Sequence, residues 1–170
     1  MMNSNIHTKK LTAFEQVLEF HTKFKQPLTE GEPSLKRIED RIHLRMNLIA
    51  EEFGELIEAV YGEASADTFN EAWRRIQKFD QKNRDLIETV DALGDLIYVV
   101  NGFALEAAVN LDNIVTHIHE SNMSKLDDNG EPVVSDGVTP AAYDGEVKPK
   151  GKVLKGPNFW EPDIEGVLFL

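Results

Sequence analysis

Residues 84–109, RDLIETVDALGDLIYVVNGFALEAAV, form the segment that most constrains the fold. At about 100° per residue, most of its apolar side chains fall within about 80° of Val90, and two more widen the surface. A helix that is apolar over most of its circumference is normally covered by other elements. The segment therefore predicts a long, central, buried helix. The side chains near Val90 are Leu86, Ile87, Leu93, Ile97, Val100 and Ala104, and the two others are Leu96 and Phe103.

Four more segments have helical periodicity. The first begins near Leu11 and cannot continue past Pro27. The second follows Ser34, a plausible N-cap, and ends near Gly62 as one helix of about 27 residues. A shorter helix spans 67–79, and a fifth begins at Asn110 or Asp112 and ends near Asn122. The predicted fold class is all-α, a four-helix-bundle module with about five helices.

The segment after Lys125 differs in composition from the helices. It holds most of the prolines and about half of the glycines, and it has too few apolar residues for a core of its own. Its end, NFWEPDIEGVLFL, is apolar again. We expect a C-terminal tail over about 126–170 that docks on the bundle or on a partner subunit. With the helical core at about 10–122, the predicted organisation is a single domain, 1–170.

Charge and cysteine content exclude several classes of function. The net charge of −12 argues against a non-specific nucleic-acid binder or a membrane-surface protein. The absence of cysteine rules out disulfides, thiolate metal sites and a cysteine nucleophile. No signal-peptide-like start and no run of eighteen apolar residues is present, so we expect a cytoplasmic protein.

The segment IAEEFGELIEAV, residues 49–60, puts four glutamates beside an apolar stripe. Taking Ile49 as the reference, Met46, Phe53, Leu56 and Val60 lie within about 60° of it. On one side follow Glu52 at about 60°, Glu55 at about 120° and Glu51 at about 160°, whereas Glu58 points away. Three glutamates thus form an acidic flank of the predicted core face.

A second acidic stripe lies on the helix of 84–109, where Glu88, Asp91 and Asp95 are spaced i, i+3, i+7. A lone acidic residue on a helix is usually solvated surface. Asp91 and Asp95, however, have no Lys or Arg at i±3 or i±4. Carboxylates that face a bundle interior repel one another unless a cation neutralises them. Two such stripes predict a metal site.

Carboxylate oxygens are hard donors that suit Mg²⁺ or Mn²⁺. A di-iron bundle would need Glu-x-x-His on two helices, and the nearest approach, Asp40 followed by His43, occurs once. Mg²⁺ can also bring a polyphosphate to an acidic protein and activate water for attack on it.

The motifs resemble those of a known superfamily. EEFGE, residues 51–55, matches the E-E-x-x-E motif of the MazG-like and phosphoribosyl-ATP pyrophosphohydrolase-like all-α NTP pyrophosphohydrolases, and DALGDLIYVVNG resembles their second motif, E-x-x-D. EFH, HESNMSK and KVLKGPNFWEPD resemble the dUTPase-like MazG branch. The resemblance implies a four-helix module that holds Mg²⁺ and hydrolyses a nucleoside triphosphate between its α and β phosphates. It also implies homodimers or dimers of dimers, with active sites close to the subunit interface.

By the motifs, the resemblance makes Glu52, Glu55 and Asp95 metal ligands, and Glu51 a further ligand or the base that orients water. Glu51 and Glu52 are thus the predicted catalytic residues. The glutamate of the second motif would fall at Ala92. Asp91, about 40° from Asp95 on the helix, is the first candidate to replace it, and Glu88 is the second.

Three residues are candidates for substrate binding. Asn122 and Lys125 match an N-x-x-K after the last helix, which the resemblance assigns to the base, sugar or phosphates; alternatively they are a helix C-cap and a solvated charge. Lys155 could reach phosphate oxygens. We expect Phe159 and Trp160 to be docking anchors rather than a surface for base stacking.

The predicted function is Mg²⁺-dependent hydrolysis of a nucleoside triphosphate to monophosphate and pyrophosphate, with dUTP-like or other non-canonical nucleotides as substrates to be cleared. One alternative is a phosphoribosyl-ATP pyrophosphohydrolase of histidine biosynthesis. The other is a non-catalytic nucleotide-binding or oligomerisation bundle, which the missing glutamate at Ala92 supports.

Overall fold

The structure, a computed structural model, describes residues 10–169, and it is all-α as predicted. Within that range no β-strand forms, and the tail contains isolated β-bridges only. The α-helices are α1 (Ala13–Lys23), α2 (Ile42–Tyr61), α3 (Glu63–Ile76), α4 (Leu86–Glu106), α5 (Leu111–Met123) and α6 (Ile164–Leu168), and two 3₁₀-helices span Leu35–Arg41 and Gln77–Phe79.

The chain divides into two compact units, and the boundary falls inside α4. The first unit comprises Met1–Leu28 and Tyr98–Leu170, and the second comprises Thr29–Ile97. The organisation as a single domain over 1–170 stays a prediction.

In the second unit, α2 packs against α3 through small residues, one polar contact and one pair of aromatic rings. Trp73 Nε1 donates a hydrogen bond of 2.9 Å to Asn47 Oδ1, and the rings of Phe53 and Phe69 meet edge to face, with centroids 5.3 Å apart. Because contacts pair early residues of α2 with late residues of α3, the helices are antiparallel. Gly62 joins them with a φ of 91°, a conformation that costs glycine little.

Two expectations for α2 were wrong. The helix does not run unbroken from Ser34, because residues 35–41 form a 3₁₀-helix in which Ile38 leaves helical geometry, and the Ser34 side chain makes no capping hydrogen bond. The buried residues of α2 are Ala50 and Gly54, whereas Ile49 and Phe53 of the predicted core stripe are exposed. The reason is that α3 packs against the face of α2 that carries small residues, where the backbones of the two helices can come close.

The expectation that α4 is buried is also wrong for the single chain. Ala104 is its buried residue, whereas Ile97 is 67% exposed and Phe103 is 59% exposed. The helix starts two residues after the predicted Arg84, because Asp85 Oδ1 accepts hydrogen bonds from the backbone N–H groups of Ile87 and Glu88. The apolar surface of α4 is therefore formed but not covered by its own chain.

In the first unit, α1 lies along α5. Gln16 Nε2 donates to Thr116 Oγ1 at 3.0 Å, and Glu19 accepts from the ring of His119 at 3.2 Å. The α1 N-terminus carries a capping box between Thr12 and Glu15.

The tail returns to α5 at its end. Ser121 Oγ donates to the Trp160 carbonyl oxygen at 2.7 Å, and the Trp160 N–H donates to Ser124 Oγ at 3.1 Å. The backbone N–H of Asp163 donates to His117 Nε2, and Asp163 then caps α6. The backbone of Trp160 thus contacts the end of α5, and the docking of the tail on the bundle or on a partner subunit stays a prediction.

None of the described helices is by itself long and apolar enough to cross a membrane.

Candidate active site

The α2 glutamates lie on the open side of the α2–α3 pair. Asn47, Ala50 and Gly54 define the face toward α3, and at about 100° per residue Glu52 lies on roughly the opposite side. Glu51, Glu52 and Glu55 are exposed; Glu52 borders the open apolar stripe of Ile49, Glu55 lies next to Glu52 on the helix surface, and Glu51 lies farthest from the stripe. The predicted acidic flank is therefore formed on a continuous helix, next to an apolar surface that the single chain leaves uncovered.

The second stripe is also formed on a continuous helix. Glu88, Asp91 and Asp95 lie in the first three turns of α4 and are exposed. Glu88 is three residues after the capping Asp85, where an acidic side chain interacts favourably with the helix dipole. This stabilising effect fades within the first turn, so it does not explain Asp91 or Asp95. Asp91 is therefore the stronger candidate for the position left open by Ala92.

The chemistry of these side chains fits a hard divalent cation, since all of the predicted ligands offer carboxylate oxygens. Within residues 10–169, however, the structure brings no three His, Cys, Asp or Glu side chains together in a group that could hold a metal. The two stripes are thus present as separate surfaces, and their assignment to one metal site stays a prediction.

An ion-pair network that the sequence analysis missed holds the segment before α4. Arg84 donates to both oxygens of Asp80, at 2.7 and 2.8 Å, and to Glu39 at 3.1 Å. His43 Nε2 lies 3.1 Å from Asp80 Oδ2. The Arg84 hydrogen bonds, helped by the backbone N–H of Lys82, hold the pKa of Asp80 well below its usual range. The network ties the entry of α4 to the 3₁₀-helix of 35–41 and to α2.

Asp80 and Arg84 lie in the non-helical stretch between the 3₁₀-helix of 77–79 and α4, so helical spacing does not account for their pairing. The further contacts of Asp80 and Arg84 join residues about 40 positions apart, which periodicity does not predict. His43, compared above with a di-iron motif, is a member of this network.

The three predicted substrate-binding residues all lie in the first unit, and the structure brings their side chains together. Lys125 Nζ donates to Asn122 Oδ1 at 2.6 Å. Lys125 Nζ also lies 5.8 Å from the centroid of the Phe159 ring, and Lys155 Nζ lies 4.5 Å from the same centroid. Asn122 is inside α5, which ends at Met123 with Ser124 as its C-cap, so the alternative role of Asn122 as the cap is wrong.

Two residues of this cluster, Tyr143 and Glu161, were not predicted. Lys155 Nζ lies 4.2 Å from the centroid of the Tyr143 ring, and the Tyr143 hydroxyl donates to Glu161 Oε1 at 3.0 Å. The same oxygen is 3.5 Å from Lys155 Nζ. Tyr143 lies in a stretch of turns, where no periodic pattern connects it to Lys155.

The fold of the chain is similar to that of a candidate NTP pyrophosphohydrolase of Exiguobacterium sp. 255-15, known from a crystal structure at 1.78 Å resolution. The TM-score is 0.57 at 20% sequence identity, and the match covers 92% of each chain. A search of curated proteins finds no match to this sequence. At this identity the likeness shows a shared all-α fold.

The chain belongs to the phosphoribosyl-ATP pyrophosphohydrolase family, whose sequence profile matches residues 17–122. It is a hydrolase that acts on phosphoric anhydrides, and the predicted superfamily is confirmed. The matched segment contains both acidic stripes and Asn122, whereas Lys125 and Lys155 follow it. Pyrophosphohydrolases of this kind generally use divalent metals.

Proposed function

We propose that the protein is a Mg²⁺-dependent nucleoside triphosphate pyrophosphohydrolase that releases a monophosphate and pyrophosphate. The observation that carries this proposal is the pair of carboxylate stripes on α2 and α4, in a chain that belongs to a pyrophosphohydrolase family. Mn²⁺ is the alternative metal, because the same oxygen donors suit it.

Each carboxylate has a role in this proposal. Glu52, Glu55 and Asp95 hold the metal, with Asp91 in place of the glutamate missing at Ala92 and Glu88 as the second candidate for that place. The bound metal supplies charge stabilisation for the leaving pyrophosphate and acidifies a water. Glu51 accepts a hydrogen bond from the attacking water and orients it toward the phosphorus.

The proposed substrates are dUTP-like or other non-canonical nucleotides, by the resemblance of the tail to the dUTPase-like branch. The main rival substrate is phosphoribosyl-ATP, which the family description favours. The non-catalytic bundle considered from the sequence is set aside, because the chain belongs to a family of hydrolases.

We also propose that the functional form is a homodimer or a dimer of dimers. Support comes from the exposed apolar side chains of α2 and α4, because a contiguous apolar surface of this kind usually marks an interface between proteins. The acidic stripes border these surfaces, so a second copy that covers them would also remove water from around the carboxylates. A cytoplasmic location is likewise a prediction.

The test is a substrate panel with purified full-length protein and Mg²⁺, containing canonical and modified NTPs and dNTPs together with phosphoribosyl-ATP. Products are resolved as monophosphate plus pyrophosphate or as diphosphate plus phosphate. We expect the first pair, and the same assay in excess chelator should give none. Release of diphosphate would contradict the proposed bond cleavage, and the absence of hydrolysis across all nucleoside triphosphates of the panel would contradict the proposed substrates. Selective turnover of phosphoribosyl-ATP would establish the rival substrate.

A further inference from the structure

The end of α3 has a charge opposite to that of the whole protein. Residues 74–82 contain four basic side chains and a single acidic one, Asp80, whereas the protein has a net charge of −12. Asp80 is bound by Arg84, so it is not available to neutralise its basic neighbours. Within residues 10–169 the structure shows no ion pair for any of the four basic side chains, all of which are exposed. We call them the basic patch: Arg74, Arg75, Lys78 and Lys82.

Helix stability accounts for only part of this charge. Arg74 and Arg75 lie in the last turn of α3, where a cation interacts favourably with the helix dipole. Lys82 lies beyond that turn, and its backbone has a φ of 55°, which is uncommon for a residue other than glycine. The carboxylate of Asp80 accepts a hydrogen bond of 2.8 Å from the backbone N–H of Lys82 and holds this turn. Because glycine or asparagine would adopt the turn at lower cost, its geometry does not explain a lysine at this position.

Two apolar side chains border the basic patch. Ile76 is 58% exposed and Phe79 is 77% exposed. Trp73 points toward α2, to which it is hydrogen-bonded. At about 100° per residue in α3 and about 120° in the 3₁₀-helix, Arg75 and Lys78 lie opposite Trp73, and the two apolar side chains share the side next to them. The surface thus combines an aromatic ring with adjacent positive charges, and both aromatic residues and arginine are enriched at protein interfaces.

Acidic residues limit the basic patch at both ends, since Glu71 lies one turn before Arg75 and Asp85 follows Lys82. A long polyanion, such as a nucleic acid or an anionic membrane surface, would meet these acidic residues as well as the patch. A single-stranded nucleic acid also stacks its bases on several aromatic rings, whereas Phe79 is the one aromatic residue of 74–82. A short acidic peptide segment fits the patch better. Charges beyond about 8 Å are largely screened at physiological salt, so such a segment senses the patch more than the net charge.

We propose that the basic patch, together with Ile76 and Phe79, binds a short acidic segment of a partner protein that carries an apolar side chain between its carboxylates. The guanidinium groups of Arg74 and Arg75 suit carboxylates, because each can donate two parallel hydrogen bonds. Contact between the Phe79 ring and the apolar side chain of the partner removes apolar surface from water. Charge complementarity orients the segment and excludes basic partners. This interaction goes beyond the hydrolysis and does not depend on it.

The test measures peptide binding by fluorescence anisotropy, with full-length protein and without nucleotide. The two labelled probes have equal length and are rich in aspartate and glutamate; one has a central leucine and the other has serine at the same position. Wild type should bind the leucine peptide roughly fivefold more tightly than the serine peptide. Lys78→Glu should weaken binding of the leucine peptide about tenfold, and Phe79→Ala should remove most of the preference for leucine. Lys82→Asn, which suits the left-handed turn, should weaken binding without lowering the midpoint of thermal unfolding.

Lys23→Glu is the matched control, because Lys23 is an exposed lysine of α1 and the substitution changes the net charge by the same amount as Lys78→Glu. It should bind the leucine peptide within about twofold of wild type. Equal weakening by the two substitutions, or no binding of either peptide by wild type, would overturn the proposal. Lys78-dependent binding of an oligothymidylate or of phosphatidylserine vesicles that is tighter than peptide binding would also overturn it, in favour of a nucleic acid or a membrane.

Two further measurements separate this surface from the assembly and from the reaction. Light scattering without peptide should give Lys78→Glu and Phe79→Ala the oligomeric state of wild type. Dissociation by either substitution would assign the surface to a contact between copies of the chain and overturn the proposal. Nucleotide hydrolysis by Lys78→Glu should equal that of wild type, and a selective loss would assign the patch to the reaction instead. Patch-dependent peptide binding by a wild-type protein that hydrolyses no substrate would leave this proposal standing and refute the proposed function.

Discussion

Arg84 donates two parallel hydrogen bonds to the carboxylate of Asp80, at 2.7 and 2.8 Å, in the segment that leads into α4. Both side chains are largely screened from solvent, and Glu39 and His43 extend the contact. A two-pronged guanidinium–carboxylate contact fixes direction as well as distance. The pair thereby determines how the chain enters the helix that carries Glu88, Asp91 and Asp95.

We expect Arg84→Leu to lower the midpoint of thermal unfolding by several degrees, because it leaves the half-buried Asp80 and its neighbours without their main donor. Arg84→Lys should recover part of the loss, since an ammonium group cannot reproduce the paired geometry. Circular dichroism melting measures both. Lys78→Gln, a change at an exposed position nearby, is the control and should melt as wild type does.

The same pair predicts a loss of stability in acid. The hydrogen bonds from Arg84 and from the backbone of Lys82 lower the pKa of Asp80 in the folded state, whereas the unfolded chain has an ordinary aspartate near about 3.9. The unfolded state therefore takes up a proton first as the pH falls. The stabilisation is complete above the unfolded pKa and declines as the pH falls toward the folded pKa.

Asp136 acts in the same direction, since the Thr139 hydroxyl and the backbone N–H groups of Thr139 and Val138 lower its pKa to about 2. Urea unfolding of wild type and of Asp80→Asn at about pH 6 and about pH 3 measures the effect. The difference in unfolding free energy between the two proteins should shrink at the lower pH. A difference independent of pH would show that charge at Asp80 is not its source.

Glu52→Ala and Asp95→Ala should each reduce kcat/KM roughly 100-fold or more while the far-ultraviolet circular dichroism spectrum stays helical. Both residues are exposed on intact helices, so their removal leaves no cavity. Glu58→Ala is the matched control, because Glu58 lies on α2 and points away from the apolar stripe. Full activity in both variants would refute their assignment as metal ligands.

The roles of Asp91 and Glu88 can be distinguished by measuring how a substitution at each residue changes the activity and the stability of the protein. We expect Asp91→Asn to lower activity and to raise the Mg²⁺ concentration needed for half-maximal rate, by about tenfold or more. Glu88→Gln should lose a few tenths of a kcal/mol of helix stabilisation and keep most of the activity, in line with its place beside the helix N-terminus. Mg²⁺ titrations of both variants distinguish these two outcomes. A loss of activity and of Mg²⁺ affinity in Glu88→Gln but not in Asp91→Asn would make Glu88 the ligand.

The proposed oligomerisation can be tested by a substitution on α4. Phe103→Glu puts a charge into its open apolar surface and should shift the protein from dimer or tetramer to monomer in multi-angle light scattering. Val138→Asp, at an exposed apolar position of the tail, should leave the oligomeric state unchanged. A wild-type protein that is monomeric at micromolar concentrations would contradict the proposed assembly.

Periodicity predicted the helices because α2 to α5 each have apolar residues at helical spacing over several turns. This spacing is the same whether or not another element covers the apolar face. It did not predict burial. The stripes of Ile49 and Val90 have the composition of a core, yet they are exposed in the single chain. The apolar composition of a helix face indicates that the face has to be covered. It does not indicate which other element, or which second chain, covers it.

In the candidate site, too, some relationships between residues follow from sequence spacing and others do not. Residues within one helix, such as Asp91 and Asp95, could be placed relative to one another from spacing alone. The contact of Lys155 with Tyr143 depends on turns in the tail, where single backbone angles decide the path. Asp163 and α6 escaped prediction because a helix of five residues offers too few positions for a periodic pattern.

The return of the tail at Gly156 and Trp160 makes the segment between them and α5 a closed loop. The free-energy cost of closing a flexible loop grows only slowly with its length, by roughly 0.6 kcal/mol for each doubling. A change of length is therefore inexpensive at the exposed turn of residues 128–131. It is not inexpensive further along, because Ser135 and Ala141 are buried and the backbone of 133–135 is hydrogen-bonded to 152–154, just before Gly156 meets the backbone of Lys125.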